Sequence, residues 1–270
     1  MLTAETRLVG LIGDPVSHSL SPRMQNAAFA ARGLDWAYVP LPVPAERLEE
    51  AVQGLVGLGF AGANVTIPHK TAVVGFCDEL DDVAERAGSV NTLVVRDGLI
   101  LASSTDGPAV VGLVAAEGAA VLLLGAGGAA QAVATSLLDA GASSLTVAAR
   151  DSERAHALVA RLKTLFPEQD VRASEGSPPA EEGALVVNAT PVRDEPFVRP
   201  QASQQLVDLA YNADGRPTAL VEAARDAGCE RIVDGLEVLV AQGAESFERW
   251  TGIAAPRDVM RAALASSSSG

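Results

Sequence analysis

Short apolar runs alternate along the chain with stretches whose apolar positions recur every three or four residues, and the alternation starts twice. Residues 8–13, 36–43 and 63–67 read as strands, and 22–32 and 44–58 between them as helices with one apolar face. Residues 89–105 read as two strands folded about Asp97-Gly98, because an Asp-Gly pair accepts the left-handed backbone of a tight hairpin. A helix is expected from Asp106 to about Glu117. The pattern then restarts at 119–124, a continuous apolar run of the kind a parallel strand covered on both faces requires. A Gly-rich turn and a helix to about Ala140 follow. Further strands are expected at 145–149, 170–173, 185–188, 206–209 and 231–233, with crossover helices at 152–166 and 218–227. Two helices, 236–250 and 256–264, close the pattern, and 266–270 reads as a low-complexity disordered tail. The alternation makes the fold α/β.

Composition narrows what such a chain does. Its 270 residues are 48% apolar but only 4% aromatic, so the core is built from Ala, Val and Leu. No apolar run approaches the ~20 residues of a membrane span, and no basic segment followed by a long apolar one opens the chain, so a cytoplasmic protein is expected. Cys77 and Cys229 are too few for a disulfide framework, and with three scattered histidines they offer no metal-ligand spacing. A net charge of -14 argues against nucleic acid as a partner. Any anion bound here must therefore be held by a local cluster of cations and hydroxyls.

Backbone N–H groups of a glycine turn are another means of holding one. Gly125-Ala126-Gly127-Gly128-Ala129-Ala130 fits G-x-G-x-x-A, follows the buried run and opens a helix. Gly125 suits the tight turn, Gly127 a close approach of backbone to pyrophosphate, and Ala130 close helix–strand packing. The plain alternative is a glycine turn with no ligand. Past the next strand stand Arg150, Asp151 and Arg154. Two arginines favour a 2′-phosphate, and hence NADP, while Asp151 opposes it by ~1.4 kcal/mol per charge at ~6 Å and an effective dielectric of about 40. The balance favours NADP, with NAD as the alternative. Arg154 is equally read as a solvated charge.

A second cluster surrounds one of the chain's two lysines. Lys70 ends the run Asn64-Val65-Thr66-Ile67-Pro68-His69-Lys70, in a chain that otherwise uses Arg eighteen times. Arg cannot release its proton at working pH, whereas Lys can cycle one. Asp106 offers a carboxylate partner, and it is also an attractive helix cap. Ser19 and Ser21 stand two apart, so an extended segment would point both hydroxyls the same way; alternatively Ser19 or, more readily, Ser21 caps the helix beginning at Pro22.

Six segments in order resemble the shikimate dehydrogenase family over essentially the whole chain. They are Gly13-Asp14-Pro15 with His18-Ser19-Leu20-Ser21-Pro22, the Asn64 to Lys70 run, Ala87-Gly88-Ser89-Val90-Asn91-Thr92-Leu93, Ser104-Thr105-Asp106-Gly107, Asn188-Ala189-Thr190-Pro191, and Asp234-Gly235-Leu236 through Ala241-Gln242-Gly243-Ala244. The resemblance implies an N-terminal α/β substrate domain, 1–105, on which helices 237–265 pack back. It also implies an NAD(P)-binding Rossmann domain, 106–236, with substrate and nicotinamide held in the cleft between the two. The implied activity is reversible NADPH-dependent reduction of 3-dehydroshikimate to shikimate. Lys70 is then the acid/base and Asp106 its partner. Ser19, Ser21 and Tyr211 bind the substrate carboxylate, and Asn64, Thr66, Asn91 and Gln242 the ring hydroxyls. Asn64 can equally be an internal bridge. Residues 125–129, Arg150, Arg154, Asn188, Thr190, Gly235 and Val238 face the coenzyme. His18 and His69 are passed over as bases. The implied protein is a monomer or homodimer acting on a small molecule.

The chain departs from the family at Ser104, usually Asn, and at Ala149-Arg150-Asp151, usually Asn-Arg-Thr. Val192-Arg193-Asp194 follows Pro191 where Gly-Met is common, and Val238 replaces a frequent Met. These changes gather on the coenzyme side. They keep open an NAD-using quinate or shikimate dehydrogenase and an amino-shikimate enzyme. A non-catalytic dinucleotide or shikimate sensor, the rival of another class, would need neither Lys70 nor Asp106.

Overall fold

The computed structural model describes residues 2–174 and 184–265; the expected tail at 266–270 lies outside them. The chain divides into two units, one formed by Met1–Thr105 and Leu239–Gly270, the other by Asp106–Val238. The first contains β1 (Arg7–Gly13), α1 (Ser21–Ala31), β2 (Trp36–Pro42), α2 (Leu48–Gly57), β3 (Gly62–Val65), β4 (Glu79–Leu80), α3 (Asp82–Ala87), β5 (Thr92–Arg96) and β6 (Leu99–Ser103). The second contains α4 (Asp106–Val111), β7 (Ala120–Leu124), α5 (Gly128–Asp139), β8 (Ser144–Ala148), α6 (Ser152–Leu165), β9 (Asp170–Ser174), β10 (Leu185–Asn188), β11 (Gln205–Asp208), α7 (Ala219–Asp226) and β12 (Arg231–Val233). Helix α8 (Gly235–Thr251) carries the chain back into the first unit, which α9 (Arg257–Ala265) completes.

The first unit has a mixed six-stranded sheet in the order β2-β1-β3-β5-β6-β4. Strands β2, β1 and β3 run parallel, and the β5–β6 hairpin adds antiparallel to β3. Ile12, Val52, Leu55, Val65, Val73 and Leu93 pack together in an aliphatic cluster. Helices α1 and α8 bring aromatic rings to the unit as well. Phe29 stacks on Phe247 with centroids 5.3 Å apart and meets Trp36 at 5.4 Å. The Trp250 indole donates to the Leu93 carbonyl at 2.9 Å. That contact needs Gly62, because a Cβ there would meet both the Leu93 carbonyl and the Trp250 ring. Gly62→Ala is expected to lose ~1–3 kcal/mol, the usual cost of overpacking, and a denaturant midpoint shift with unchanged slope is the check.

The second unit is an all-parallel sheet in the order β12-β11-β10-β7-β8-β9. This is the 3-2-1-4-5-6 order of the Rossmann fold, whose switch point lies between the first and fourth strands, here β7 and β10. The continuous apolar run reflects cover on both faces. Val121 and Leu123 join one core with Val133, Leu137 and Leu158; Leu122 and Leu124 join another with Leu220 and Val221. Successive side chains of a strand point to opposite faces, so both cores need apolar residues from one short segment.

Several elements differ from the pattern. The helix expected over 44–58 begins as a 3-10 turn, Ala45–Arg47, before α2. The helix expected from Asp106 to Glu117 stops at Val111. Gly112, a weak helix former, follows, and the chain must turn through Gly118 at φ +71° to enter β7. Strand β4, helix α3 and a 3-10 turn at Ala72–Phe76 have no counterpart in the apolar pattern, because elements of two to six residues are too short to show a period. Helix α3 is held by its ends: Asp81 Oδ1 accepts from the Ala84 N–H at 2.8 Å, and Gly88 closes it at φ +61°.

Candidate active site

In the first unit the two motif loops are built against each other. A Cβ on Gly13 would strike the Thr66 methyl and lie 2.9 Å from Val16, so glycine lets the 13–15 loop lie on the 66–70 turn. Backbone bonds then fix the turn: Thr66 N–H donates to the Ile12 carbonyl at 2.8 Å, Asp14 N–H to Ile67 at 3.0 Å, and His69 N–H to Thr66 at 2.9 Å. The His69 ring is buried with Nε2 2.6 Å from the Val43 carbonyl. That oxygen can only accept, so Nε2 carries the proton and His69 serves as a bracket. Exposed His18 has Nδ1 3.3 Å from the Ser17 hydroxyl. Lys70 follows His69 half-buried, with its own carbonyl accepting from Val90 N–H at 2.8 Å. Its backbone is thus anchored on both sides.

The serine segment is not extended. Residues 17–18 form a turn and Leu20 a bend, and α1 starts at Ser21, with Leu20 as N-cap and no side-chain cap. Ser21 therefore caps nothing, contrary to the expectation, since it already occupies the first helical position. Ser19 is the residue that reaches the helix, its Oγ accepting the Ser21 N–H at 3.2 Å. Alternation along a strand thus gives no reason for the two hydroxyls to share a direction; their placement comes from the helix start.

Behind these loops lies a buried polar network. Asn64 Nδ2 has the Asn91 carbonyl, the Ser246 hydroxyl and the Thr92 hydroxyl at 2.9, 2.9 and 3.2 Å, and its Oδ1 accepts from Tyr38 Oη at 2.9 Å. These bonds make Asn64 an internal bridge that ties β2, β3, β5 and α8 together. Asn91 Oδ1 accepts from Thr105 N–H at 2.8 Å, while its Nδ2 donates to Thr105 Oγ1 at 2.9 Å and to Gln242 Oε1 at 3.3 Å. Gln242 Nε2 donates to Leu239 at 2.8 Å. Thr92 and Thr105, which lie in two of the motif segments without an assigned role, belong to this network, as do Tyr38 and Ser246, which lie in none. Asp106, buried, begins α4 one peptide beyond Thr105.

In the second unit the glycine turn lies at the switch point. Gly125 has φ +112°, and a Cβ on it would lie 3.1 Å from the Ala189 carbonyl oxygen and 3.2 Å from Thr190 Cγ2. Only glycine satisfies both. Gly127 is the N-cap of α5, with no side chain capping the helix and nothing within 4 Å of the place a Cβ would take. Gly128 and Ala129 supply the first helical N–H groups, Ala126 packs against the core, and Ala130 is fully buried. A phosphate fits this geometry: open space, uncapped donors and the positive end of a helix.

The arginine region is arranged differently from a two-armed clamp. Asp151 is the N-cap of α6, its Oδ1 accepting the Arg154 N–H at 3.1 Å and its Oδ2 pairing with Arg154 Nε at 3.2 Å. Arg154 is thus turned onto the carboxylate three residues before it, and Arg150, exposed, is the remaining arm. Asn188 is buried, with Nδ2 donating to Asp208 Oδ1 at 2.8 Å and Oδ1 accepting from Thr190 N–H and hydroxyl at 3.0 and 2.8 Å. Its amide shapes the turn, and half-buried Thr190 is the member left toward solvent. Gly235 opens α8 hard against the Ala210 carbonyl, where no Cβ fits. Val238 belongs to the aliphatic core, 5% exposed, so it offers a ligand little surface. Tyr211, half-buried, follows Ala210. The thiols are poor nucleophiles: burial pushes Cys77 up to about 12 and also raises Cys229. Among the described residues no group of His, Cys, Asp or Glu is arranged to hold a metal, and no helix is long and apolar enough to cross a membrane.

The strand order and the glycine turn place the chain among two-domain α/β proteins that bind a dinucleotide at the switch point. Three family models match it: the shikimate dehydrogenase substrate binding domain over residues 11–93, shikimate / quinate 5-dehydrogenase over 111–208, and the shikimate 5′-dehydrogenase C-terminal domain over 235–265. It is 46% identical to a shikimate dehydrogenase (NADP(+)) of Anaeromyxobacter sp. (strain Fw109-5), with 98% of both chains covered. A crystal structure of a shikimate dehydrogenase in complex with NADP+ is 32% identical, TM-score 0.87, covering 100% of this chain and 98% of that one. The Thermus thermophilus enzyme in complex with NADP(H) and shikimate is 30% identical, TM-score 0.81, covering 97% and 99%. The chain belongs to the shikimate dehydrogenase family.

Proposed function

We propose that the chain interconverts 3-dehydroshikimate and shikimate with NADPH and NADP+, in the reducing cytoplasm that its two unpaired cysteines suit. The observation that carries this reading is the presentation of Lys70, on a turn pinned from both sides and beside a buried network of amides and hydroxyls. That is an acid/base next to a surface for a polyol. The coenzyme, when bound, supplies a hydride to the ring carbonyl carbon and takes it back in the reverse direction. The glycine turn 125–129 would hold its pyrophosphate, Thr190 would border it, and Arg150 would meet the 2′-phosphate.

The chain's own residues do the rest. Lys70 Nζ gives a proton to the carbonyl oxygen as the hydride arrives and removes it from the hydroxyl in reverse. Asp106 supplies the carboxylate that balances the ammonium. Ser19, Ser21 and Tyr211 hold the substrate carboxylate with neutral O–H donors, and Thr66, Asn91 and Gln242 meet the ring hydroxyls, since such groups both donate and accept. Asn64 supports Asn91 from behind.

Ser19→Ala, Ser21→Ala and Tyr211→Phe should each weaken shikimate binding by ~1–3 kcal/mol, because a carboxylate loses a charged hydrogen bond. NADPH affinity should stay within about twofold of the parent. Titration of each ligand separately checks this. Three variants with parental shikimate affinity would place the carboxylate elsewhere and defeat the assignment.

A further inference from the structure

Asp208 ends β11 with no exposed surface, and the reaction above gives it neither a proton to move nor a ligand to touch. Burying a carboxylate is costly unless it is paired or well hydrogen-bonded. The charge acting on it is another carboxylate, Asp234, and burial foremost holds its pKa above the ordinary carboxylate value. Three neutral donors converge on it. Asn188 Nδ2, at the end of β10, donates to Oδ1 at 2.8 Å, and Ala210 N–H donates to the same oxygen at 2.9 Å. Thr218 Oγ1 donates to Oδ2 while capping α7, where it accepts the Val221 N–H at 3.2 Å.

Two of the donors lead to candidate coenzyme or substrate residues, and the third anchors α7. Asn188 carries Thr190, which with Ala189 lies against Gly125. Ala210 precedes Tyr211, and its carbonyl seats Gly235 at the start of α8. Asp234 in turn caps that helix, its Oδ1 accepting the Leu236 and Glu237 N–H groups at 3.1 Å. One buried carboxylate therefore sets the relative positions of the 188–190 turn, the 209–211 segment and the N-terminus of α7. Buried groups locked by such bonds are how sites are held to the fraction of an ångström that binding requires.

We propose that Asp208 is the positioning residue of the coenzyme edge of the second unit, holding the 188–190 turn and the 209–211 segment in the arrangement that presents Thr190 and Gly125 to the coenzyme. The inference rests on the coenzyme reading above.

The test uses the full chain carrying Asp208→Asn, Thr218→Val or Thr218→Ser. NADPH affinity is read by fluorescence titration without substrate, together with KM, kcat and the thermal melt. Asp208→Asn should raise the Kd and KM for NADPH about tenfold, because an amide nitrogen faces the Thr218 hydroxyl where a carboxylate oxygen accepted from it. At saturating coenzyme, kcat should fall by less. Thr218→Val should move Kd in the same direction by about threefold or more, and Thr218→Ser, which keeps the hydroxyl, should restore it. A lowered melting temperature with parental NADPH affinity would make Asp208 merely structural and overturn the proposal. If Asp208→Asn does not fold, the Thr218 pair decides by the same criterion. A parent chain that itself fails to bind NADPH would sink the coenzyme reading; an active parent with unaffected variants would sink only the role of Asp208.

Discussion

Lys70→Ala should lower turnover by about 10²-fold or more, on the scale of general acid–base catalysis, while shikimate still binds. The 66–70 turn is held by backbone bonds and by the His69 ring, so truncating the lysine leaves its frame in place. What disappears is a group able to pass a proton to and from the reacting oxygen. Lys70→Arg separates this from charge alone, since a guanidinium keeps the positive charge and cannot cycle its proton at working pH. It should fail to rescue turnover. Near-parental turnover in the Arg variant would mean that Lys70 contributes only charge.

The second large effect is expected at the coenzyme. Arg150→Ala should weaken NADPH binding about tenfold to a hundredfold, the loss of ~1.5–3 kcal/mol in a charged hydrogen bond, and leave NADH nearly unchanged. Asp151→Ser should act the other way. Serine still caps α6, the repelling carboxylate is gone, and Arg154 is released from the pair it makes at 3.2 Å. NADPH affinity should then rise. High salt should erode the preference, because the pair and the arm are both exposed to solvent. If Asp151 instead grips the ribose diol, Asp151→Ser would cost NADH affinity, and titrating both coenzymes against both variants tells the cases apart.

Elements and motifs were unevenly legible in the sequence, for physical reasons. The buried run at 119–124 shows itself because both faces of β7 must be apolar, and the glycine turn because Gly125 needs a positive φ and a close carbonyl. Strand β4 and α3 are too short to show a period, and α3 is marked only by its capping Asp81 and closing Gly88. Ser21 looked like a cap because Pro22 marks a helix start, yet the helix begins one residue earlier. Asn64 and Asn188 are polar residues whose partners lie up to 182 positions away in the chain, so no spacing reveals that their amides are used internally. Asp208 is the extreme case. Its donors come from 20 residues before it, two after and ten after; the parallel pairing of β10 with β11 sets Asn188 opposite it, and the return of the chain into α7 brings Thr218. Arg154 read equally as a phosphate arm and as a solvated charge, because a run of charges does not show that Asp151, capping α6, pairs with it at 3.2 Å.

Steady-state rates of the parent chain put the reaction itself to the test. Initial rates should be measured with shikimate and with quinate, each with NADP+ and with NAD+, and in reverse with 3-dehydroshikimate and NADPH. The highest kcat/KM is expected for shikimate with NADP+, with a matching reverse reaction with NADPH. A higher kcat/KM with NAD+, or no turnover of shikimate with either coenzyme, would contradict it.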